Sequence, residues 1–196
     1  MPDLRLEKGK ATRDRVVAAA RELFGREGYK ATSIEAVLGA AGVARGSLYH
    51  HFENKTALFD AVLDQVVGEI AEQAAQAARV HDDPVEGLRA GCGAWLRMAL
   101  DPAVQQIALV DAPAVVGWSR WRELDEHHTL GGVRRSLQHI AESGRLPADQ
   151  VDVLAHMLLA SVSEAALLIP RADDPEAALA AGQAAFDTLL DRLAGA

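Results

Sequence analysis

Ala41-Gly42-Val43-Ala44-Arg45-Gly46-Ser47-Leu48-Tyr49-His50-His51-Phe52 is the stretch whose reading decides the fold. Gly42 can take the left-handed conformation that ends one helix, Val43 can fill the angle behind it, and Arg45 to His51 can form a short second helix. Leu48 and Phe52, four residues apart, share one face and turn it to a core, which leaves Arg45, Ser47, Tyr49 and His50 on the other side. This is the grammar of a helix-turn-helix, in which the second helix enters a DNA major groove.

Working outward, helical periodicity continues in both directions, and no run of alternating β-branched residues bounded by hairpin turns interrupts it. Upstream, Thr12 can cap a helix through Val16, Val17, Ala20, Leu23 and Phe24, with Gly28 where a glycine would stop it. Thr32-Ser33-Ile34-Glu35 has the form of a capping box, opening a helix that carries Ile34, Val37, Leu38 and Ala41. Downstream, Asn54 can cap a long helix from Lys55 with Leu58, Phe59, Val62, Leu63, Val66, Val67 and Ile70 on its apolar side, ended by His81-Asp82-Asp83-Pro84. Breaks at Asp101-Pro102, Pro113, Gly131-Gly132, 143–147 and 170–175 divide the rest into roughly five helices. The expected architecture is all-α, about nine helices, with a three-helix DNA-binding domain over 1–54 and a larger regulatory, ligand-binding and dimerisation domain over 55–196.

Composition agrees with that division. The 196 residues carry a net charge of -8, yet residues 1–60 hold ten lysines and arginines against eight acids, and the remainder ten against twenty. All four lysines, Lys8, Lys10, Lys30 and Lys55, lie in the first part, and the first two cluster with Arg13 and Arg15. A slightly basic head beside an acidic body suits approach to a polyanion. Cys92 has no partner in the chain, which fits a reducing compartment. Met1 to Lys10 lacks the apolar stretch of a signal peptide, and the uninterrupted apolar runs fall short of a membrane span, so a cytoplasmic protein is expected.

Gly28-Tyr29, Thr32, Ala41-Gly42-Val43, Gly46 through Phe52, Asn54-Lys55 and Leu58 stand in an order and spacing that resembles the tetracycline-repressor (TetR) family of one-component transcriptional regulators over roughly residues 10–62. Leu38 departs from the family's usual alanine. The resemblance implies a sequence-specific regulator, a repressor released from a palindromic operator by a small-molecule ligand. On it, Arg45 reads a guanine edge or falls back on phosphate, Gly46 lets the backbone come close, Ser47 and Tyr49 offer hydroxyls, and His50 meets backbone or a thymine methyl. Thr32 and Ser33 face phosphate at a helix start, and Lys55 binds phosphate with help from the helix dipole. Tyr49 and His51 have a packing alternative.

A short recognition helix needs a second copy one DNA turn away, ~34–36 Å, hence a homodimer. Leu158, Val162, Ala165, Ile169, Gly182, Phe186 and Leu190 on the last two helices are the interface candidates. Trp95, Met98, Asp111, Trp118, Trp121, His128, His156 and Glu164 are candidates for lining an effector pocket. There is no HExxH, no Gly-x-Ser-x-Gly and no paired Glu-x-x-His, so neither an enzyme nor a metal or cofactor is expected. The rival reading is a ligand-binding helical bundle whose head has lost DNA recognition.

Overall fold

A computed structural model of the chain describes residues 3–193, with side chains from residue 7. Met1 and Pro2, at the start of the stretch read for a signal peptide, lie outside the described residues. Nine helices and no strand are present among the described residues. They are α1 (Asp3–Ala31), α2 (Ile34–Ala41), α3 (Arg45–His51), α4 (Lys55–Arg79), α5 (Pro84–Met98), α6 (102–115), α7 (118–142), α8 (Val151–Leu168) and α9 (Pro175–Leu193). Two are interrupted by wide π turns, Gln105–Asp111 in α6 and Glu126–Leu130 in α7.

These π turns explain why two expected breaks do not occur. The Ala112 amide reaches back five residues to the Ile107 carbonyl, so Pro113, which has no amide to give, enters where the four-residue ladder has already lapsed. Gly131-Gly132 likewise sits inside α7 directly after its π turn. Two caps also differ from expectation. Thr12 lies inside α1 and its hydroxyl donates to the Lys8 carbonyl, and α2 is capped by Ser33, which accepts from the Ala36 amide, with Glu35 turned to another partner.

The chain divides into two compact units, the first made of residues 1–66 and 102–119, the second of 67–101 and 120–196. The expected boundary at 54/55 therefore falls inside the first unit, which takes the opening turns of α4 and all of α6. Its core joins Val16, Ala20 and Phe24 of α1, Val37, Leu48, Leu58, Phe59 and Val62, and Ile107 and Ala108 of α6. Phe24 and Phe59 meet edge to face at 5.2 Å, and Tyr29 meets Phe59 the same way at 5.2 Å. Gly25 lets α1 lie against α6, because a methyl there would come 2.8 Å from the Ala103 side chain.

In the second unit α5 crosses the end of α4 at very short range. A Cβ on Gly87 or Gly91 would sit 3.0 Å from the carbonyl oxygens of Ala78 and Ala74, so both positions are closed to side chains. Leu88, Cys92, Trp95 and Leu96 of α5 pack with Leu137 and Ile140 of α7, Leu158, Leu159 and Val162 of α8, and Phe186 and Leu190 of α9. Burial pushes the Cys92 thiol up to about 12, which makes it an inert core residue. Arg89 ties α5 to α9 through Asp187 and Asp191 at 2.8 and 2.6 Å. The stretch Ala148–Arg171, around α8, is long and apolar enough by composition to cross a membrane, which a search for uninterrupted apolar runs overlooks. Here it packs against α5, α7 and α9.

Candidate nucleic-acid interface

The turn at the centre of the first unit forms as its residues require. Gly42 adopts φ 61, ψ 41, the left-handed conformation that closes α2, and the Val43 amide returns to the Leu38 carbonyl. Leu48 and Phe52 are buried, so α3 is anchored by one side only. Arg45, Gly46, Tyr49 and His50 lie on its exposed side and Ser47 is half-buried. A Cβ on Gly46 would meet nothing within 4 Å, leaving the backbone open to a large partner. The Arg45 guanidinium is paired through one nitrogen with Glu35 of α2, which steadies the fork and leaves its other N–H groups for a base edge or phosphate.

Around α3 stand two further features suited to phosphate. Asn54 caps α4 by accepting from the Ala57 amide at 2.8 Å, so Lys55 starts a well-formed helix whose dipole favours an anion. The Lys55 ammonium lies 4.2 Å from the centroid of the Tyr29 ring, a cation–π contact, and the Tyr29 hydroxyl shares a hydrogen bond of 2.9 Å with Thr56. Burial lowers the Lys55 pKa and the Asp111 carboxylate pushes it back up. Ser33 is exposed at the start of α2, where its hydroxyl oxygen accepts from the Ala36 amide at 3.0 Å. Thr32 is buried: it is 1 % exposed, and its hydroxyl donates at 2.9 Å to the carbonyl of Gly28, whose φ of 80 and ψ of 162 kink α1, instead of facing phosphate.

The effector candidates divide between the two units. Asp111 and Trp118 belong to the first unit, and the other six to the second. Asp111 accepts from the Tyr29 backbone amide at 2.7 Å, and Trp118 is 52 % exposed. In the second unit Trp95 and Trp121 are core residues, and the Trp95 indole N–H is buried with no partner. Met98 edges an open groove with Gln73, Gln76 and Arg97, and Glu164 is exposed. His128 lies beside Gly68, and the His156 Nδ1 stands 3.8 Å from Glu126. Asp125, which is not among the effector candidates, is buried at the entry to the π turn of α7 and accepts from the Ser163 hydroxyl at 2.7 Å. Burial pushes its carboxyl up to about 6, against the opposing effects of Ser163 and Arg122. Its sequence signal is the run Asp125-Glu126-His127-His128 in a helical stretch.

The interface candidates also need correction. Leu158, Val162, Ile169, Phe186 and Leu190 are buried within the single chain and have no surface to offer a second copy. Ala165 and Gly182 are half-buried where α8 meets α9, a Cβ on Gly182 lying 3.9 Å from the Ala165 Cβ. The large apolar side chains left exposed on these helices are Val153, Met157 and Leu168 of α8 and Leu189 of α9.

Comparison with known proteins bears on both units. Residues 16–62 match the family model described as bacterial regulatory proteins, tetR family, and residues 85–193 match that of the tetracyclin repressor-like C-terminal domain. A TetR-family transcriptional regulator from Pectobacterium atrosepticum has a similar structure, with 34% identity, a TM-score of 0.86 and coverage of 96% of each chain. The transposon Tn10 TetC protein of Escherichia coli is 28% identical over 155 residues, 78% of this chain and 77% of that one. The fold is also that of RolR, solved with resorcinol, at 20% identity, a TM-score of 0.73 and coverage of 96% and 95%.

Proposed function

The chain belongs to the tetracycline-repressor family and is a DNA-binding transcriptional regulator of repressor type, and from that premise we propose that it works as a homodimer released from a palindromic operator by a small molecule. The observation that carries the DNA-binding assignment is the exposed side of α3, with Arg45, Tyr49 and His50 presented beyond a turn closed by Gly42. Arg45 reads a base edge, Ser47, Tyr49 and His50 extend the contact, and Ser33 and Lys55 hold phosphates on either side. Thr32 supports them from the core of the unit.

A second copy is needed because α3 has only seven residues, too few to select a site alone. The exposed Val153, Met157 and Leu168 of α8 and Leu189 of α9 support an interface built on these two helices, with the buried leucines beneath them. The orphaned Trp95 indole N–H in the second unit supports an effector that brings a hydrogen-bond acceptor, since a buried donor without a partner costs about 1–3 kcal/mol. RolR, which has the same fold, is described with resorcinol in place. A reducing, cytoplasmic setting suits the lone buried Cys92.

The test is selection of bound sequences from random duplex DNA at a fixed salt concentration. An enriched inverted repeat is expected. Absence of enrichment from folded, dimeric protein would transfer support to a bundle without DNA recognition.

A further inference from the structure

We propose that Asp111 is a positioning residue for DNA binding, which holds the Tyr29 backbone and through the Tyr29 ring sets Lys55 where a phosphate meets it. The inference rests on the reading of Lys55 as a phosphate contact.

The need for such a residue begins at Gly28. Its φ of 80 and ψ of 162 break α1 between Phe24 and Tyr29, so the Tyr29 amide cannot be served by the regular ladder of the helix. Asp111 supplies the missing acceptor from a place 82 residues further along the chain, at 2.7 Å. A bond from a neutral amide to a carboxylate is among the stronger hydrogen bonds. The same carboxylate oxygen accepts from the Gln106 side-chain amide at 3.0 Å, one turn back on α6, so Asp111 is itself fixed. Gly28 makes room for both: a Cβ there would lie 3.1 Å from the Gln106 nitrogen and 3.5 Å from the Asp111 oxygen, at a backbone angle that side chains avoid.

What the pinned residue carries is the floor of the phosphate site. The Tyr29 ring is held from beneath by Phe24 and Phe59, centroids 5.8 and 5.2 Å away, and lies under the Lys55 ammonium at 4.2 Å. Its hydroxyl binds Thr56, the second residue of α4. A shift of the Tyr29 backbone therefore moves the ring, the start of α4 and Lys55 together. The Asp111 carboxylate also opposes the lowering of the Lys55 pKa that burial causes.

A double-mutant cycle on the full-length dimer tests this, with binding to a fluorescent duplex of mixed sequence measured across a salt series. Lys55→Ala should weaken binding and lower the salt slope by about 1. Asp111→Ala should weaken binding about fivefold to tenfold when Lys55 is present and less than about twofold when it is absent, the non-additivity of coupled residues. Asp111→Asn keeps an oxygen for the Tyr29 amide and should stay within about twofold of the parent. If Lys55→Ala changes nothing, the phosphate reading of Lys55 falls and the proposal with it. If Lys55→Ala weakens binding but Asp111→Ala is equally harmful in both backgrounds, or harmless in both, Asp111 does not act through Lys55 and the proposal alone is overturned. Circular dichroism checks folding, and Asp111→Ser, whose shorter side chain withdraws from the Tyr29 amide, repeats the cycle if the alanine variant does not fold.

Discussion

Asp125→Asn should make the protein more stable at neutral pH, although it removes a charged residue that accepts a hydrogen bond. Asp125 is 5 % exposed, and burial raises its carboxyl from 3.8 to about 6. A carboxyl whose pKa is higher in the folded chain than in the unfolded one binds more protons when folded, so stability falls as pH rises between the two values. The difference of about 2 pH units, at about 1.4 kcal/mol each, makes the ionised group cost up to about 3 kcal/mol above pH 6. Asparagine keeps an oxygen to accept from Ser163 and carries no charge, so it removes that cost at every pH. The assay is urea unfolding at fixed protomer concentration from pH 4 to 7.5, since subunit association itself depends on concentration. The parent should lose stability across roughly pH 4 to 6 from this group while the variant stays flatter, and their difference should grow toward about 3 kcal/mol at pH 7. A variant less stable than the parent at pH 7, with a pH profile parallel to it, would refute the reasoning and show that the carboxylate is held by its partners more strongly than burial opposes it.

Three further outcomes follow from the geometry. Arg45→Ala should cost about 1–3 kcal/mol of operator binding and relax preference at one position of each half-site, whereas loss of Lys55 weakens all duplexes alike; competition binding against single-base operator variants separates the two patterns. Gly91→Val should destabilise the second unit by about 2 kcal/mol in urea unfolding, because even its Cβ would lie 3.0 Å from the Ala74 carbonyl oxygen; an unchanged midpoint would mean that α4 and α5 can separate at little cost. Met157→Asp places a charge among the exposed apolar residues of α8 and should convert the dimer to monomer in sedimentation velocity while circular dichroism is retained, whereas a dimer of unchanged affinity would move the interface off this face.

The helix-turn-helix was legible because it depends on short-range rules. Gly42 at φ 61, Asn54 as a cap, and Leu48 and Phe52 as the buried pair each need only their neighbours, and all four stand as the sequence implies. Thr32 shows the limit of the same rules. A threonine before a helix has the same local signature whether it caps, faces phosphate or turns inward, and only the carbonyl of Gly28, which accepts from both the Thr32 amide and its hydroxyl, decides for the last. The extra turns of α4 and the whole of α6 in the first unit were invisible for a related reason, since the contact of Gly25 with Ala103 joins segments with no shared periodicity.

Apolar periodicity marks a face as covered without naming what covers it. Leu158, Val162, Phe186 and Leu190 read as interface residues by that measure, yet α5, α7, α8 and α9 of the same chain already bury them, and the residues left for a partner, Val153 and Met157, follow the opposite side of α8. Polar residues are harder still, because a carboxylate takes its role from the donor it meets. Asp111 and Asp125 are alike in sequence, each an acid within a helical stretch. One ends a π turn and meets an amide freed by a kink far away in sequence, so it is fixed in place. The other precedes a π turn and meets the hydroxyl of Ser163 in a closed core, where burial favours the neutral acid. The first is therefore suited to hold a backbone steady beneath Lys55, and the second to make the second unit respond to pH, and it is the backbone around them that separates the two.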